Sequence, residues 1–333
     1  MVSKMQKKIL AVPTHIITGF LGVGKTSAIL HLLKHKAANE RWAVLVNEFG
    51  EIGVDGSLLQ GLYSEEKGVY IREVPGGCMC CAAGVPMQVA LNQLLSQAKP
   101  HRLLIEPTGL GHPVEVLQSL SFEHFRDVLV IQPVITLVDA RKLGDSRYTE
   151  HTTFNQQIAI ADIVVGNKQD LYQHNDKARL EAYVKVKGAA NASILFTQQG
   201  KLDIGCLQGT RRAKAHAQHQ HDHHQKTSGL DDTKIPVCGY IKAVNQGEGY
   251  ASIGWRFDGS KVFNRTKIQE FLKQIPAERI KAVFITASGS VGYNVTSDCI
   301  SETALGECQE SRIEIIAPHI NEKWETELLA CID

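Results

Sequence analysis

Residues 14–26 read THIITGFLGVGKT, and this stretch decides the fold of the first part of the chain. Its first five residues predict a buried strand, and the eight that follow match the pattern GxxxxGK[ST]. The glycines of that pattern permit a tight turn whose backbone N–H groups point at phosphate oxygens, and a helix beginning at the lysine adds its positive dipole end. The stretch therefore predicts a strand, a phosphate-binding loop and a helix in direct succession.

Each residue type in this loop has a separate task. Lys25 is expected to neutralise the β- and γ-phosphates of a nucleotide, and the Thr26 hydroxyl to ligate Mg²⁺. A structural glycine-rich turn with a solvated lysine is the alternative, but the predicted strand and helix flank the motif in the required order. The motif predicts a nucleoside triphosphate without choosing its base. Further phosphate contacts are expected from Gly19, Gly22, Val23, Gly24 and Ser27.

A second motif, Asn167-Lys168-Gln169-Asp170, follows a short apolar strand and predicts which base is bound. The Asp170 carboxylate can accept hydrogen bonds from the guanine N1–H and the exocyclic amino group, and adenine offers no such pair of donors. Lys168 can lie along the plane of the base. A polar surface turn is the plainer interpretation, but the phosphate loop far upstream favours guanine recognition. The segment Thr197–Gly200 is a weaker candidate for a loop over the base.

The segment Glu106-Pro-Thr-Gly109 follows the apolar run RLLI and has the order of a GTPase switch. Glu106 is expected to reach Mg²⁺ directly or through water, and the Gly109 N–H to meet the γ-phosphate. Many GTPases carry Asp at the acidic position, and a strand-capping glutamate is the alternative interpretation. Asp139, at the end of the run VITLVD, fits a functional carboxylate and an ordinary strand-end carboxylate equally well.

Three cysteines within four residues, Cys78, Cys80 and Cys81, form a candidate metal site. Thiolates suit Zn²⁺ and Cu(I), and zinc prefers four ligands in a tetrahedron. Three sulfurs leave one position open, so such a site could pass a metal on. Buried thiols or a redox pair are the alternatives, although the spacing Cys-x-Cys-Cys differs from the CxxC redox motif.

Other candidate ligands lie near these motifs along the chain. The acidic loop NEFGE carries Glu48 and Glu51, which are expected to ligate Mg²⁺ or to turn towards the cysteines; a solvated acidic turn is the alternative. His112, just beyond the predicted switch, is a further candidate metal ligand, although a lone histidine is more often an ordinary loop residue. Five histidines between His216 and His224 can bind a transition metal weakly or belong to a solubilising linker.

Apolar runs such as 42–46 alternate with helix-like segments from residue 10 to 200. This alternation predicts an α/β fold: a mostly parallel sheet with helices on both faces, as in P-loop NTPases. Strand-like runs dominate after the histidine-rich segment, beginning with one predicted at 237–243, and indicate a small C-terminal α+β domain. The predicted organisation is a GTPase domain at 1–204, a flexible linker at 205–234 and the α+β domain at 235–333.

The composition is that of an ordinary globular protein. The 333 residues are 43% hydrophobic and 21% charged, and 36 basic against 35 acidic residues give a formal net charge of +1, which offers no broad footprint for nucleic acid. No apolar stretch reaches the roughly 20 residues of a membrane span, and no signal peptide is predicted. Eight cysteines, three of them clustered, favour metal chemistry in a reducing compartment, so a cytoplasmic location is expected.

Taken in order, the segments ITGFLGVGKT, VLVNEFGEIGVDG, PGGCMCC, LLIEPTGLGHP and NKQD resemble the CobW-like P-loop GTPases, a family of metal-handling GTPases, and are most similar to its zinc-binding branch. The segments ASIGWRF and ERIKAV resemble the family's C-terminal module more loosely. One departure is Ala282, which stands where family members often carry glycine after the lysine. The resemblance covers nearly the whole chain.

The resemblance implies GTP binding, slow hydrolysis to GDP and phosphate, dependence on Mg²⁺, and binding of Zn²⁺ at the three cysteines, with Glu48 and Glu51 in a switch region. The expected function is a metallochaperone: a GTPase whose nucleotide state is coupled to zinc binding and to zinc delivery to a client metalloprotein. Insertion of cobalt or nickel and a non-enzymatic protein with structural zinc are the alternatives. A fourth zinc ligand from a second copy of the chain would give a metal-dependent homo-oligomer; neither nucleic acid nor a membrane is an expected partner.

Overall fold

The structure is a computed structural model that describes residues 9–46, 62–63, 65–74, 85–209, 235–247 and 249–333. Its strands are β1 (Val12–Gly19), β2 (Trp42–Val46), β3 (Val69–Glu73), β4 (Arg102–Glu106), β5 (Leu129–Ile131), β6 (Ile135–Val138), β7 (Ile163–Gly166), β8 (Ser193–Phe196), β9 (Tyr240–Gly247), β10 (Tyr250–Asp258), β11 (Arg279–Thr286), β12 (Gly289–Thr296), β13 (Cys299–Ala304) and β14 (Glu310–Ala317). Its α-helices are α1 (Lys25–Lys34), α2 (Val85–Ala98), α3 (Pro113–Leu120), α4 (Glu123–Arg126), α5 (Ser146–Thr149), α6 (Thr152–Ala159), α7 (Asp176–Lys187), α8 (Arg265–Gln274) and α9 (Lys323–Leu329). Short 3₁₀ helices lie at Glu65–Lys67, Ala140–Gly144, Gln169–Leu171 and Ile204–Leu207.

Eight parallel strands form the first sheet in the order β3-β2-β4-β1-β6-β7-β8, with β5 beside β1. A hydrophobic cluster covers each face: Ile29 and Leu32 of α1 lie in one, and Leu91 and Leu94 of α2 lie in the other. All five residues of β2 are buried, because a parallel strand covered on both sides keeps every side chain from water. The predicted α/β class with a P-loop type of sheet is confirmed.

Six antiparallel strands form the C-terminal domain in the order β13-β12-β11-β14-β10-β9. One face packs on α8 and α9 around Trp255 and Phe284. The opposite face is covered by the first domain, since Tyr250 and Ile316 belong to the same hydrophobic cluster as Phe20 of the phosphate loop. The second sheet therefore lies between its own helices and the end of the first sheet that carries the phosphate loop.

Two strands of this domain differ from the sequence-based expectation. The strand predicted at 237–243 is shifted, because β9 begins at Tyr240 and continues to Gly247, where it pairs with Tyr250 across a hairpin. Strand β13 was not predicted, because all six of its residues are exposed and carry no apolar alternation. Within the part of the chain that the structure describes, no helix has both the length and the apolar character that crossing a bilayer requires.

A buried histidine in β1 should make the fold sensitive to acid. His15 is fully buried, and its Nε2 accepts a hydrogen bond from Arg102 Nη1 at 2.7 Å. Burial, and then the charge of Arg102, lowers the pKa of His15 to about 3. The unfolded chain binds this proton near pH 6.5 and the folded chain only near pH 3, so stability present above pH 6.5 is lost as the pH falls through that window.

We expect the His15→Gln variant to lose this dependence, because glutamine can accept the Arg102 hydrogen bond but does not titrate. Between pH 6 and pH 4 the free energy of unfolding of the variant should fall less steeply than that of the wild type, by about 1.4 kcal/mol per pH unit. Urea unfolding at several pH values measures the two slopes. His174→Gln, at an exposed position, is the control, and equal slopes for the wild type and the His15 variant would contradict the prediction.

Candidate nucleotide-binding site

The phosphate loop connects the end of β1 to the start of α1. Gly19 and Gly24 have φ angles of 143° and 98°, which L side chains rarely adopt. A Cβ atom on Gly19 would lie 2.4 Å from the Leu137 carbonyl oxygen, and one on Gly24 would lie 2.5 Å from Asn167 Nδ2. Glycine is therefore required at both positions, and the loop brings its backbone to the N-terminus of α1, where Gly24 is the N-cap.

Lys25 and Thr26 lie in the first turn of α1 and are 5% and 7% exposed. Lys25 Nζ donates to the carbonyl oxygens of Gly19 at 2.9 Å and of Phe20 at 3.1 Å, so its ammonium is held over the loop. Thr26 Oγ1 donates to Glu106 Oε1 at 2.8 Å, and Glu106 is 2% exposed at the end of β4. A hydroxyl and a carboxylate in contact supply the hard oxygen ligands that suit Mg²⁺.

The switch glycine lies against the phosphate loop. A Cβ atom on Gly109 would approach the Leu21 nitrogen to 3.0 Å and the Phe20 carbonyl carbon to 3.1 Å. Its carbonyl oxygen accepts a hydrogen bond of 3.0 Å from the buried Gln157 Nε2. The structure therefore brings the predicted switch and the predicted phosphate loop into direct contact.

Asn167 joins the guanine motif to the phosphate loop. Its Nδ2 donates to the Val23 carbonyl oxygen at 2.8 Å, and its Oδ1 accepts from the Gly200 N–H at 3.1 Å. The Gln169 N–H in turn donates to the Thr197 carbonyl oxygen at 3.0 Å. The segment Thr197–Gly200 is thus joined to the motif, and Gly200 also lies against Ser27, another predicted phosphate-site residue.

The two charged residues of the guanine motif have different surroundings. Asp170 is exposed, as a carboxylate that receives a base must be. Lys168 has a left-handed backbone with φ of 61°, and its Nζ lies 3.2 Å from Asp298 Oδ2 and 3.7 Å from Asp139 Oδ2. Hydrogen bonding to Arg141, and then the charge of Lys168, lowers the pKa of Asp298 to about 2.

Asp139, for which the sequence left two interpretations open, has a structural role in this arrangement. Its Oδ1 accepts from the Arg141 N–H at 3.2 Å, which caps the turn after β6, and its Oδ2 pairs with the Arg141 guanidinium at 2.6 Å. These contacts agree with the interpretation of Asp139 as an ordinary strand-end carboxylate.

The predicted metal ligands are only partly within the described residues. His112 is the N-cap of α3, and its Nδ1 lies 3.3 Å from the Thr153 hydroxyl. Among the residues that the structure describes, no group of three or more His, Cys, Asp or Glu side chains is arranged to hold a metal ion. The remaining candidates lie outside the described residues: Glu48, Glu51, Cys78, Cys80, Cys81 and the histidines between 216 and 224.

Two residues that sequence reasoning missed reach this site from the C-terminal domain. Lys281 Nζ donates to Thr26 Oγ1 at 2.9 Å, and Asp298 forms the ion pair with Lys168 described above. Neither belongs to a motif whose spacing indicates a nucleotide site. Only the packing of the second sheet against the first brings them there.

This fold and this loop define a P-loop nucleotide-binding protein, and the chain belongs to the CobW/HypB/UreG family, whose nucleotide-binding domain matches residues 13–194. The chain is 41% identical over 310 residues to the zinc chaperone YeiR of Escherichia coli, covering 91% of this chain and 92% of that protein. It is 29% identical over 245 residues to the zinc chaperone CobW of Pseudomonas aeruginosa, covering 66% and 65%. The crystal structure of Zn(II)-bound YjiA GTPase from Escherichia coli aligns with 96% of this chain and 99% of its own, with 18% identity and a TM-score of 0.46. The family resemblance predicted from the motifs is confirmed.

Proposed function

We propose that this protein is a GTPase that couples its nucleotide state to the binding and delivery of zinc, and so acts as a zinc metallochaperone. The main support for the proposal is the hydrogen bond between Thr26 and Glu106 at the phosphate loop. Asn167 of the guanine motif is hydrogen-bonded to the same loop. Membership of the CobW/HypB/UreG family supports nucleotide binding at this place. The names of two relatives, both zinc chaperones, favour zinc as the cargo.

The residues at the loop divide the work of phosphoryl transfer. Lys25 and the N–H groups at the start of α1 hold the β- and γ-phosphates, while Asp170 and Lys168 hold the base. Thr26 and Glu106 would hold Mg²⁺, which when bound offsets charge on the phosphate oxygens. Water adds to the γ-phosphorus as the bond from that phosphorus to the β–γ bridging oxygen breaks, and the products are GDP, inorganic phosphate and the proton that the water releases. The sequence offers no residue assignable as an arginine finger and no glutamine directly after the switch, so hydrolysis is expected to be slow without a partner or metal.

The register of the first sheet supports a cysteine site close to the nucleotide. Val46 of β2 is aligned with Glu73 at the end of β3 and also with Glu106 at the end of β4. Neighbouring strands are about 4.8 Å apart, so Glu73 and Glu106 leave the sheet roughly 10 Å from each other. Cys78 follows Glu73 by five residues, a span of at most about 18 Å of extended chain. The three thiolates are therefore within reach of the switch region, and we propose that zinc binds there as cargo.

Replacing Cys78, Cys80 and Cys81 together by serine is expected to abolish high-affinity zinc binding while nucleotide binding persists. Loss of an outer-shell partner alone costs metal sites about 10- to 100-fold in affinity, so loss of three thiolates should exceed 100-fold. Equilibrium dialysis measures bound zinc, and nucleotide titration of the same samples measures GDP binding. A matched control replaces three other cysteines of the C-terminal domain: Cys238, Cys299 and Cys308.

A GTPase assay with and without zinc, with bound metal counted in each sample, tests the coupling itself. Coupling between the two ligands is reciprocal, and about 1–3 kcal/mol would change zinc affinity roughly 5- to 150-fold between GDP and a non-hydrolysable GTP analogue. Unchanged zinc stoichiometry in the triple cysteine variant would contradict the cysteine site. Equal zinc affinity in the two nucleotide states would contradict the coupling and favour a structural role for zinc. Tighter binding of cobalt or nickel than of zinc, measured at controlled free metal concentrations, would favour one of those metals as the cargo.

A further inference from the structure

Lys281 reaches from the middle of β11 to the phosphate loop and ends on Thr26. It lies on the face of the second sheet opposite the Phe284 core, and it is 3% exposed. Its Nζ donates to Thr26 Oγ1 at 2.9 Å, across 255 residues of sequence. Thr26 Oγ1 already donates its single proton to Glu106, so the Lys281 ammonium is bound by a lone pair of this oxygen.

A magnesium ion at this loop would need a lone pair of Thr26 Oγ1, and the Lys281 ammonium already takes one of the two that this oxygen has. A threonine hydroxyl that donates its proton to a carboxylate ligates a metal through its remaining electron pairs. The Lys281 ammonium brings a positive charge to that oxygen in a buried place, where two cations repel each other more strongly than in water. Lys281 and Mg²⁺ are therefore competitors for the position beside Thr26.

Contacts of two acidic residues also join the C-terminal domain, which carries Lys281, to the first domain. Glu278, three residues before Lys281, accepts hydrogen bonds from Arg147 Nη1 at 3.0 Å and from the Tyr148 hydroxyl at 3.2 Å. Asp298, beyond the end of β12, pairs with Arg141 Nη2 at 2.6 Å and with Lys168. The C-terminal domain thus contacts the nucleotide site at two places: Lys281 lies at Thr26, the expected Mg²⁺ ligand, and Asp298 lies at Lys168 of the guanine motif.

The docking also extends to the loop backbone itself. Gly22 lies against Thr296 at the end of β12, since a Cβ atom on Gly22 would come within 3.3 Å of Thr296 Cγ2. Tyr250 completes the contact by packing its ring against Phe20, with a centroid distance of 6.3 Å. A shift of the phosphate loop on nucleotide binding would therefore change its contacts with Thr296 and Tyr250 of the second sheet.

We propose that Lys281 is a built-in counter-cation of the phosphate loop: in the docked arrangement it takes the position that Mg²⁺ requires, and Mg²⁺ bound with a nucleotide displaces it. This inference rests on the proposed function, because it needs a guanine nucleotide at the loop. Docking of the C-terminal domain and loading with Mg²⁺ then oppose each other, and each weakens the other by the same factor. Lys281 would then link the Mg²⁺ and nucleotide state of the loop to the docking of the second domain, beside the loop contacts of Thr296 and Tyr250.

The test measures how much Mg²⁺ the GDP complex requires. The dissociation constant of a fluorescent GDP analogue is determined over a range of Mg²⁺ concentrations for the wild type and for Lys281→Met, which keeps the length of the side chain and removes its charge. The Mg²⁺ concentration for half-maximal effect should be at least about 10-fold lower in the variant. An equal or higher Mg²⁺ requirement in Lys281→Met would overturn the inference.

A matched control is Lys242→Met, because Lys242 lies in the same sheet but pairs with Glu325 of its own domain. Its Mg²⁺ requirement should equal that of the wild type. If Lys281→Met proves unstable by circular dichroism, Lys281→Gln removes the charge but keeps a polar group, and it should change the Mg²⁺ requirement in the same direction. A wild type that binds no guanine nucleotide at any Mg²⁺ concentration overturns the proposed function and this inference together, whereas normal binding with an unchanged variant overturns the inference alone.

Discussion

Replacement of Lys25 by alanine is expected to lower kcat for GTP hydrolysis by at least about 100-fold, the usual cost of removing one preorganised group that stabilises transition-state charge. The Lys25 ammonium is held over the loop by the carbonyl oxygens of Gly19 and Phe20. It is therefore in place before a nucleotide arrives and needs little reorganisation to meet the phosphates. Loss of this charge should also weaken GTP binding, because the backbone N–H groups of the loop would act alone.

Single-turnover release of phosphate measures the chemical step, and titration with a non-hydrolysable GTP analogue measures binding. Lys34→Ala is a suitable control, since Lys34 lies at the exposed end of the same helix α1. Turnover that persists in the Lys25 variant would contradict the assignment of the phosphate loop. Equal loss in both variants would point to damage to the helix rather than to a lost phosphate contact.

The second large effect is expected from Asp170→Asn, which should weaken GTP binding by at least about 100-fold and create binding of xanthosine triphosphate. A carboxylate accepts from both the N1–H and the exocyclic amino group of guanine, whereas an asparagine amide offers one acceptor and one donor. Xanthine carries a carbonyl oxygen in place of that amino group, so the asparagine N–H can donate to it. Asp170 is exposed, so the substitution leaves the packing of the domain intact.

Competition of each triphosphate with a fluorescent GTP analogue measures this change of preference. Asp127→Asn, another exposed carboxylate of the same domain, controls for the loss of a surface charge and should keep the preference for GTP. A variant of Asp170 that retains wild-type affinity for GTP would show that the base is read elsewhere. Loss of GTP binding without any gain for xanthosine triphosphate would show that Asp170 does not face the exocyclic group of the base.

Local sequence determined most of the first domain. The apolar run at 42–46 predicts β2 with its observed bounds, because every side chain of a doubly covered parallel strand must be apolar. The phosphate loop could be predicted for a related reason: its glycines meet backbone restrictions that no other residue satisfies, and the functional Lys25 lies beside them. Strand β13 is exposed along its whole length and has no apolar pattern, so the sequence could not indicate it.

Only the tertiary structure determined that the Lys281 side chain contacts Thr26. A lysine at an alternate position of a strand ordinarily indicates a solvent-facing side. The segment ERIKAV, which resembles the family's C-terminal module, contains Lys281 but does not indicate that this lysine reaches the nucleotide site. Lys281 is buried against Thr26 because one face of the second sheet packs on the end of the first sheet that carries the phosphate loop. The same packing brings Asp298 to Lys168. Contacts of this kind depend on the shapes of two folded surfaces, whereas a motif depends only on the backbone within one loop.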